Sequence, residues 1–73
     1  MTLKINVAVF GAGYVGLVSA AGLAAIGHNV VCVDIDANKV SKLIDGEIPF
    51  YEPGLSELVL KCVANGSLRF TSL

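Results

Sequence analysis

The sequence predicts an α/β fold built on a parallel sheet, and three observations carry that reading. A short apolar run, Val7-Ala8-Val9-Phe10, leads directly into a glycine-rich turn, Gly11-Ala12-Gly13-Tyr14-Val15-Gly16. A Gly/Ala-rich stretch of helical character follows. A second apolar run, Val30-Val31-Cys32-Val33, then ends on an acid, Asp34. Apolar runs without alternation suit parallel strands covered on both faces, and helices between them supply the crossovers.

The first strand is expected over Leu3 to Phe10. In the turn after it, each glycine of G-x-G-x-x-G has a physical reason. Gly11 makes the tight bend from strand to helix, Gly13 lets the backbone approach a pyrophosphate, and Gly16 lets the helix lie against the strand. The first helix, Tyr14 to about Ile26, would point unpaired N–H groups and the positive end of its dipole at the same place. Gly16, Ala20, Leu23 and Gly27 are predicted to form its close-packed side, with Gly27 as the left-handed cap. Gly22 marks either a close backbone approach or a tolerated glycine. His28 has no ligand or carboxylate beside it at useful spacing and reads as a loop residue.

Asp34 lies eighteen positions beyond Gly16, near the roughly 20 expected of a carboxylate that hydrogen-bonds the adenosine ribose. Turn, strand and acid together predict dinucleotide binding in the manner of the first half of a Rossmann fold. A carboxylate at Asp34 favours NAD, since it repels the 2′-phosphate of NADP. Asp36 can cap the second helix, whose Val40, Leu43 and Ile44 share a face and whose stop is Gly46. Lys39, in its first turn, is either a solvated lysine or a contact to the adenosine ribose or phosphate. Glu47-Ile48-Pro49-Phe50-Tyr51-Glu52-Pro53-Gly54 is extended, because each proline disfavours helix in the residue before it. Pro53 is assigned to the first turn of a third helix. There Leu55, Leu58, Val59, Cys62 and Val63 form one apolar stripe, with Asn65-Gly66 as the stop. Leu68 to Thr71 begin a third strand.

Composition narrows the class. With 73 residues, 55% hydrophobic and 15% charged, the chain is apolar for its length, as part of a larger α/β protein would be. Its net charge of −1 offers no basic stripe for nucleic acid and no polybasic segment for a membrane surface. The uncharged run between Lys4 and Asp34 is broken by five glycines, which argues against a membrane span or a leader. Cys32 and Cys62 read as small buried hydrophobes, and the compartment as the cytoplasm.

Three blocks taken together, Gly11-Ala-Gly-Tyr-Val-Gly-Leu17, Gly27-His-Asn-Val-Val-Cys-Val-Asp34 and Ile48-Pro-Phe-Tyr-Glu-Pro-Gly-Leu55, closely resemble the start of the UDP-glucose/GDP-mannose dehydrogenase family, its UDP-glucose 6-dehydrogenases in particular. The third block is the specific one. It separates this family from hydroxyacyl-CoA dehydrogenases and from the nucleotide-sensing regulatory domains of potassium channels, the main non-enzymatic alternative. The resemblance implies an NAD-dependent oxidation of the C6 hydroxyl of a UDP-sugar to a carboxylate, in two steps, by a homo-oligomeric enzyme. Oxidation of GDP-mannose or of an N-acetylated UDP-sugar is the alternative within the family. By position, Gly11, Gly13, Tyr14, Val15 and Gly16 would line the pyrophosphate, and Asp34 would hold the ribose with Lys39 beside it. The family's catalytic cysteine, lysine and asparagine fall beyond position 73, so no catalytic residue and no metal ligand is assigned. Residues 1–73 are expected to be the N-terminal part of a dinucleotide-binding domain whose remainder carries the sugar-nucleotide site. Tyr51 and Glu52 either merely stiffen the approach to the third helix or border the cofactor cleft.

Overall fold

A computed structural model describes residues 3–73. The order is β1 (Asn6–Phe10), α1 (Tyr14–Ala25), β2 (Asn29–Asp34), α2 (Ala37–Ile44), α3 (Leu55–Ala64) and β3 (Leu68–Ser72). The three strands are all parallel and lie side by side as β1-β2-β3. Val7 stands opposite Val30 and Val30 opposite Leu68; one step on, Val9, Cys32 and Phe70 are in line. These two rows form the face on which the helices pack, and with Leu17, Ala20, Ala21, Val40, Leu43, Leu55, Val59 and Cys62 they make the core. This is the α/β half-Rossmann arrangement that the sequence predicts, with the strand order 3-2-1.

The opposite face of the sheet, formed by Ala8, Val31 and Arg69 in one row and Phe10, Val33 and Thr71 in the next, carries no helix among the described residues. Along β1 the side chains therefore alternate between half-buried and exposed, and Phe10 is 72% exposed. An unalternating apolar run shows what a strand can bury, while topology decides which side is covered. β1 starts at Asn6 rather than Leu3; residues 3 to 5 are exposed, and only the Ile5 carbonyl joins the ladder, accepting from Asn29 N at 2.9 Å.

Helix α1 buries Leu17, Ala20, Ala21 and Ala24, one position round from the predicted stripe. Three of these four are alanines, so the helix still lies close on β2. Leu23 is only half-buried, and Gly22 is a tolerated glycine, since a Cβ there would meet nothing within 4 Å. In α2, Val40 and Leu43 are buried but Ile44 is 57% exposed, because the eight-residue helix ends at the margin of the sheet. Helix α3 buries Leu55, Val59 and Cys62 as its periodicity predicts.

All three helices leave by the same device. The N–H groups one and two residues past each cap return to carbonyls in the last turn. For α1 these are Gly27 N to Ala24 O and His28 N to Leu23 O. Gly46 and Gly66 repeat the pattern after α2 and α3, each with a positive φ that glycine adopts at little cost. The start of α3 departs from expectation. Helix begins at Leu55, and Pro53 lies outside it, in a turn closed by Leu55 N to Glu52 O at 3.1 Å. With proline second and Gly54 third at φ 83°, this is a type II turn.

A candidate dinucleotide site at the carboxyl edge of the sheet

Where β1 passes into α1, Gly11 takes φ 100°, and its N–H is held by the Val33 carbonyl at 2.7 Å. The bend is thus tied to the end of β2. The two later glycines differ in kind. A Cβ at Gly16 would overlap the Gly11 carbonyl oxygen, so packing of helix on turn forbids a side chain there. A Cβ at Gly13 would meet nothing of the protein within 4 Å. Space at Gly13 is left open toward solvent, as the approach of a ligand to the backbone requires.

Helix α1 starts without a side-chain cap, since Gly13 supplies none, and its first turn holds no acid. The N–H groups of Tyr14, Val15 and Gly16 precede the first intrahelical bond, Leu17 N to Gly13 O at 2.8 Å. They face the carboxyl edge with the positive end of the helix dipole. Val15 is largely exposed, at 75%, and Tyr14 partly so, at 45%. Anions bind at such a terminus because backbone donors and dipole act together.

Asp34, at the end of β2, closes the other side. Its Oδ2 accepts from Ala12 N at 2.8 Å and its Oδ1 from Asp36 N at 2.9 Å. The Lys39 ammonium lies 3.6 Å from Oδ2. The hydrogen bond from Ala12 first, then that from Asp36, hold the carboxyl below the usual carboxylate range, with the charge of Lys39 adding a little and partial burial opposing. Each oxygen keeps a lone pair for a further donor, which is what a ribose diol presents. Beside it a hollow of about 280 Å³ is bordered by Phe10, Gly11, Val33, Asp34, Ile35 and Leu73. A larger hollow of about 450 Å³, near Ile44, Val63 and Arg69, lies at the β3 side, away from these converging donors and acceptors.

The linker contributes a contact that local pattern does not reveal. Tyr14 Oη donates to Glu52 Oε2 at 3.0 Å, and its ring meets Phe50 edge-on, with centroids 5.6 Å apart and planes at 78°. The bond to Glu52, and then the nearby negative charge, raise the phenol pKa. Tyr51 points wholly into solvent. Cys32 and Cys62 are buried free thiols, and burial first, then the charge of Asp34, push the Cys32 thiol up. His28 accepts from Ile5 N through Nδ1 at 3.2 Å, at the opposite edge of the sheet. No metal-holding cluster occurs among the described residues, and no described helix is long and apolar enough to cross a membrane.

A glycine turn, an uncapped helix and an acid at the end of the second strand define the first half of a nucleotide-binding α/β domain. Residues 5–73 match the UDP-glucose/GDP-mannose dehydrogenase family, NAD binding domain, and the chain belongs to that family. NAD is the cofactor of the matched domain, and the open backbone at Gly13, the uncapped α1 and the Asp34 carboxylate fit it. The chain is 54% identical to the UDP-glucose 6-dehydrogenase of Rhizobium meliloti (strain 1021), over 92% of its own length and 15% of that protein's. It is 47% identical to the GDP-mannose 6-dehydrogenase of Pseudomonas syringae pv. tomato, over 93% of this chain and 16% of that one. Among solved structures, the UDP-D-ManNAc dehydrogenase of Pyrococcus horikoshii superposes with a TM-score of 0.89 at 31% identity, covering 93% of this chain and 16% of that chain. The chain thus spans about 15% of the length of the curated relatives it matches.

Proposed function

We propose that this chain is the N-terminal, NAD-binding part of a UDP-glucose 6-dehydrogenase, a cytoplasmic homo-oligomer that oxidises the C6 hydroxyl of UDP-glucose to the carboxylate. The observation that carries the choice of sugar is the higher identity to the relative named for UDP-glucose than to the one named for GDP-mannose. GDP-mannose or an N-acetylated UDP-sugar is the second reading, supported by relatives named for each of those sugars.

In this reading the N–H groups of Tyr14, Val15 and Gly16 receive the pyrophosphate, Gly13 lets it approach, and Gly11 makes the bend that aims them. Asp34 accepts from the ribose hydroxyls, and Lys39 balances its charge. NAD supplies hydride acceptance; the residues of this chain bind and orient it, and the groups that touch the sugar belong to the rest of the protein. A carboxylate at Asp34 opposes a 2′-phosphate, so NAD is used in preference to NADP.

The test is NADH formation by the full-length protein with UDP-glucose, GDP-mannose and UDP-N-acetylmannosamine, each with NAD or NADP. The expected outcome is the highest kcat/KM with UDP-glucose and NAD, and two NADH formed per sugar. A preference for either of the other sugars would give the function to the second reading.

A further inference from the structure

The first turn of α1 has to be held in place while its N–H groups stay free. A capping side chain would hold it, but only by occupying those donors. Gly13 provides no cap, and an uncapped first turn frays. The structure offers a different restraint, 38 residues away in sequence. Tyr14, the first residue of the helix, is bonded through its hydroxyl to Glu52 and braced at its ring by Phe50.

Those two partners are themselves fixed. Phe50 is half-buried and packs against the core, and Glu52 opens the type II turn that Leu55 N closes on its carbonyl. Pro49 and Pro53, on either side, restrict the backbone between them. The restraint uses only the tyrosine side chain, so the backbone donors of the turn remain available.

We propose that Glu52 is a positioning residue of the NAD site, holding the first turn of α1 through the Tyr14 hydroxyl with Phe50 as the brace behind the ring. The proposal rests on the reading of that turn as the pyrophosphate site. It gives the two-proline linker a role in cofactor affinity as well as in the approach to α3. Glu52 acts through the tyrosine: its carboxylate orders a side chain that would otherwise leave the turn free to fray, and the entropy of ordering is then lost on folding instead of on binding.

The test is calorimetric titration of the full-length protein and its variants with NAD, alongside thermal unfolding. Tyr14→Phe and Glu52→Ala should each weaken NAD binding about fivefold, the upper end for a solvent-exposed charge-assisted hydrogen bond. The double variant should be no weaker than either single one, because both remove the same restraint. Glu52→Gln keeps an acceptor for the hydroxyl and should stay within about twofold of the parent, a difference of only a few tenths of a kcal/mol. Glu57→Gln, a nearby loss of charge with no bond to Tyr14, should change nothing. Unchanged NAD affinity in Tyr14→Phe and Glu52→Ala, even with a lowered melting temperature, would overturn the proposal, as would additive losses or a glutamine variant as weak as the alanine one. A parent protein that fails to bind NAD would remove the pyrophosphate reading as well, whereas tight parental binding with indifferent variants removes this proposal alone.

Discussion

Helices α1 and α2 both leave the carboxyl edge of the sheet directly after a strand, yet their first turns are treated in opposite ways. At α2, Asp36 caps the helix, its Oδ1 accepting from Asn38 N at 3.0 Å and Lys39 N at 3.1 Å. At α1 the corresponding position is Gly13, which caps nothing. One terminus has its donors satisfied from within and serves stability; the other leaves them open, and the proposed function gives them to the pyrophosphate. Helix α3 is uncapped too, at Gly54, but it follows no strand and carries Glu57 in its first turn. The difference teaches to look for an anion at the uncapped, acid-free helix that leaves a strand at this edge.

The glycines of α1 provide the strongest test of this contrast. Gly16→Ala forces a methyl group into the Gly11 carbonyl and should destabilise the fold by about 3 kcal/mol, at the upper end of overpacking costs. Chemical denaturation of the full-length protein would measure it. Gly13→Asp should do the reverse. Its extended backbone, φ −71° and ψ −174°, accepts any residue, and an aspartate there would cap α1 as Asp36 caps α2. Thermal stability should hold or rise while NAD affinity collapses, since the donors are taken and a negative charge faces the pyrophosphate. Retained NAD binding in Gly13→Asp would break the comparison.

Next in size is the cap at α2. Asp36→Ala should cost about 1 kcal/mol of stability, the usual loss for an N-cap aspartate, and leave the NAD dissociation constant where it was. An equal loss of affinity would mean that the two termini are not separate in function.

The smallest effect concerns the acid between them. Asp34 has a folded-state pKa below its ordinary value, chiefly through the bond from Ala12 N. The unfolded chain therefore takes up the proton first as pH falls. Asp34 contributes stability above the ordinary carboxylate pKa of about 4, and that contribution is lost as pH drops from there through the lowered folded value. Asp34→Asn should flatten this acid limb in urea titrations at stepped pH. An unaltered limb would show that the bond from Ala12 does not tie the glycine turn to β2.

Much of this arrangement is legible in the sequence because it is local. Strand, glycine turn and helix follow one another without a gap, and Asp34 is found by counting from Gly16. The helix exits are marked by Gly27, Gly46 and Gly66, where only the backbone decides. Pro53 shows the limit of such reading: its fixed φ suits both a first helical turn and the second place of a type II turn, and the glycine after it is the signal that selects the turn. Ile44 follows the periodicity of α2 but faces out, since periodicity does not say where a sheet ends. The contact of Tyr14 with Glu52 and Phe50 has no local signature at all, and the bond from Ala12 to Asp34 spans 22 residues. Both appear only when the chain has folded back on itself.

The glycine exits of α1 and α3 also lie side by side at the amino edge of the sheet, around a shallow hollow bordered by Lys4, Ala24, Gly27, Asn29, Asn65 and Ser67. The residues assigned to NAD are all at the far edge. For anyone wishing to attach a fluorophore, lengthen a loop or splice in another domain, the two edges offer unequal terms. The turn at Asn65 and Gly66 is exposed, and material added there would project away from the glycine turn and from Asp34. Among the described residues this is a natural grafting point, with the carboxyl edge left undisturbed.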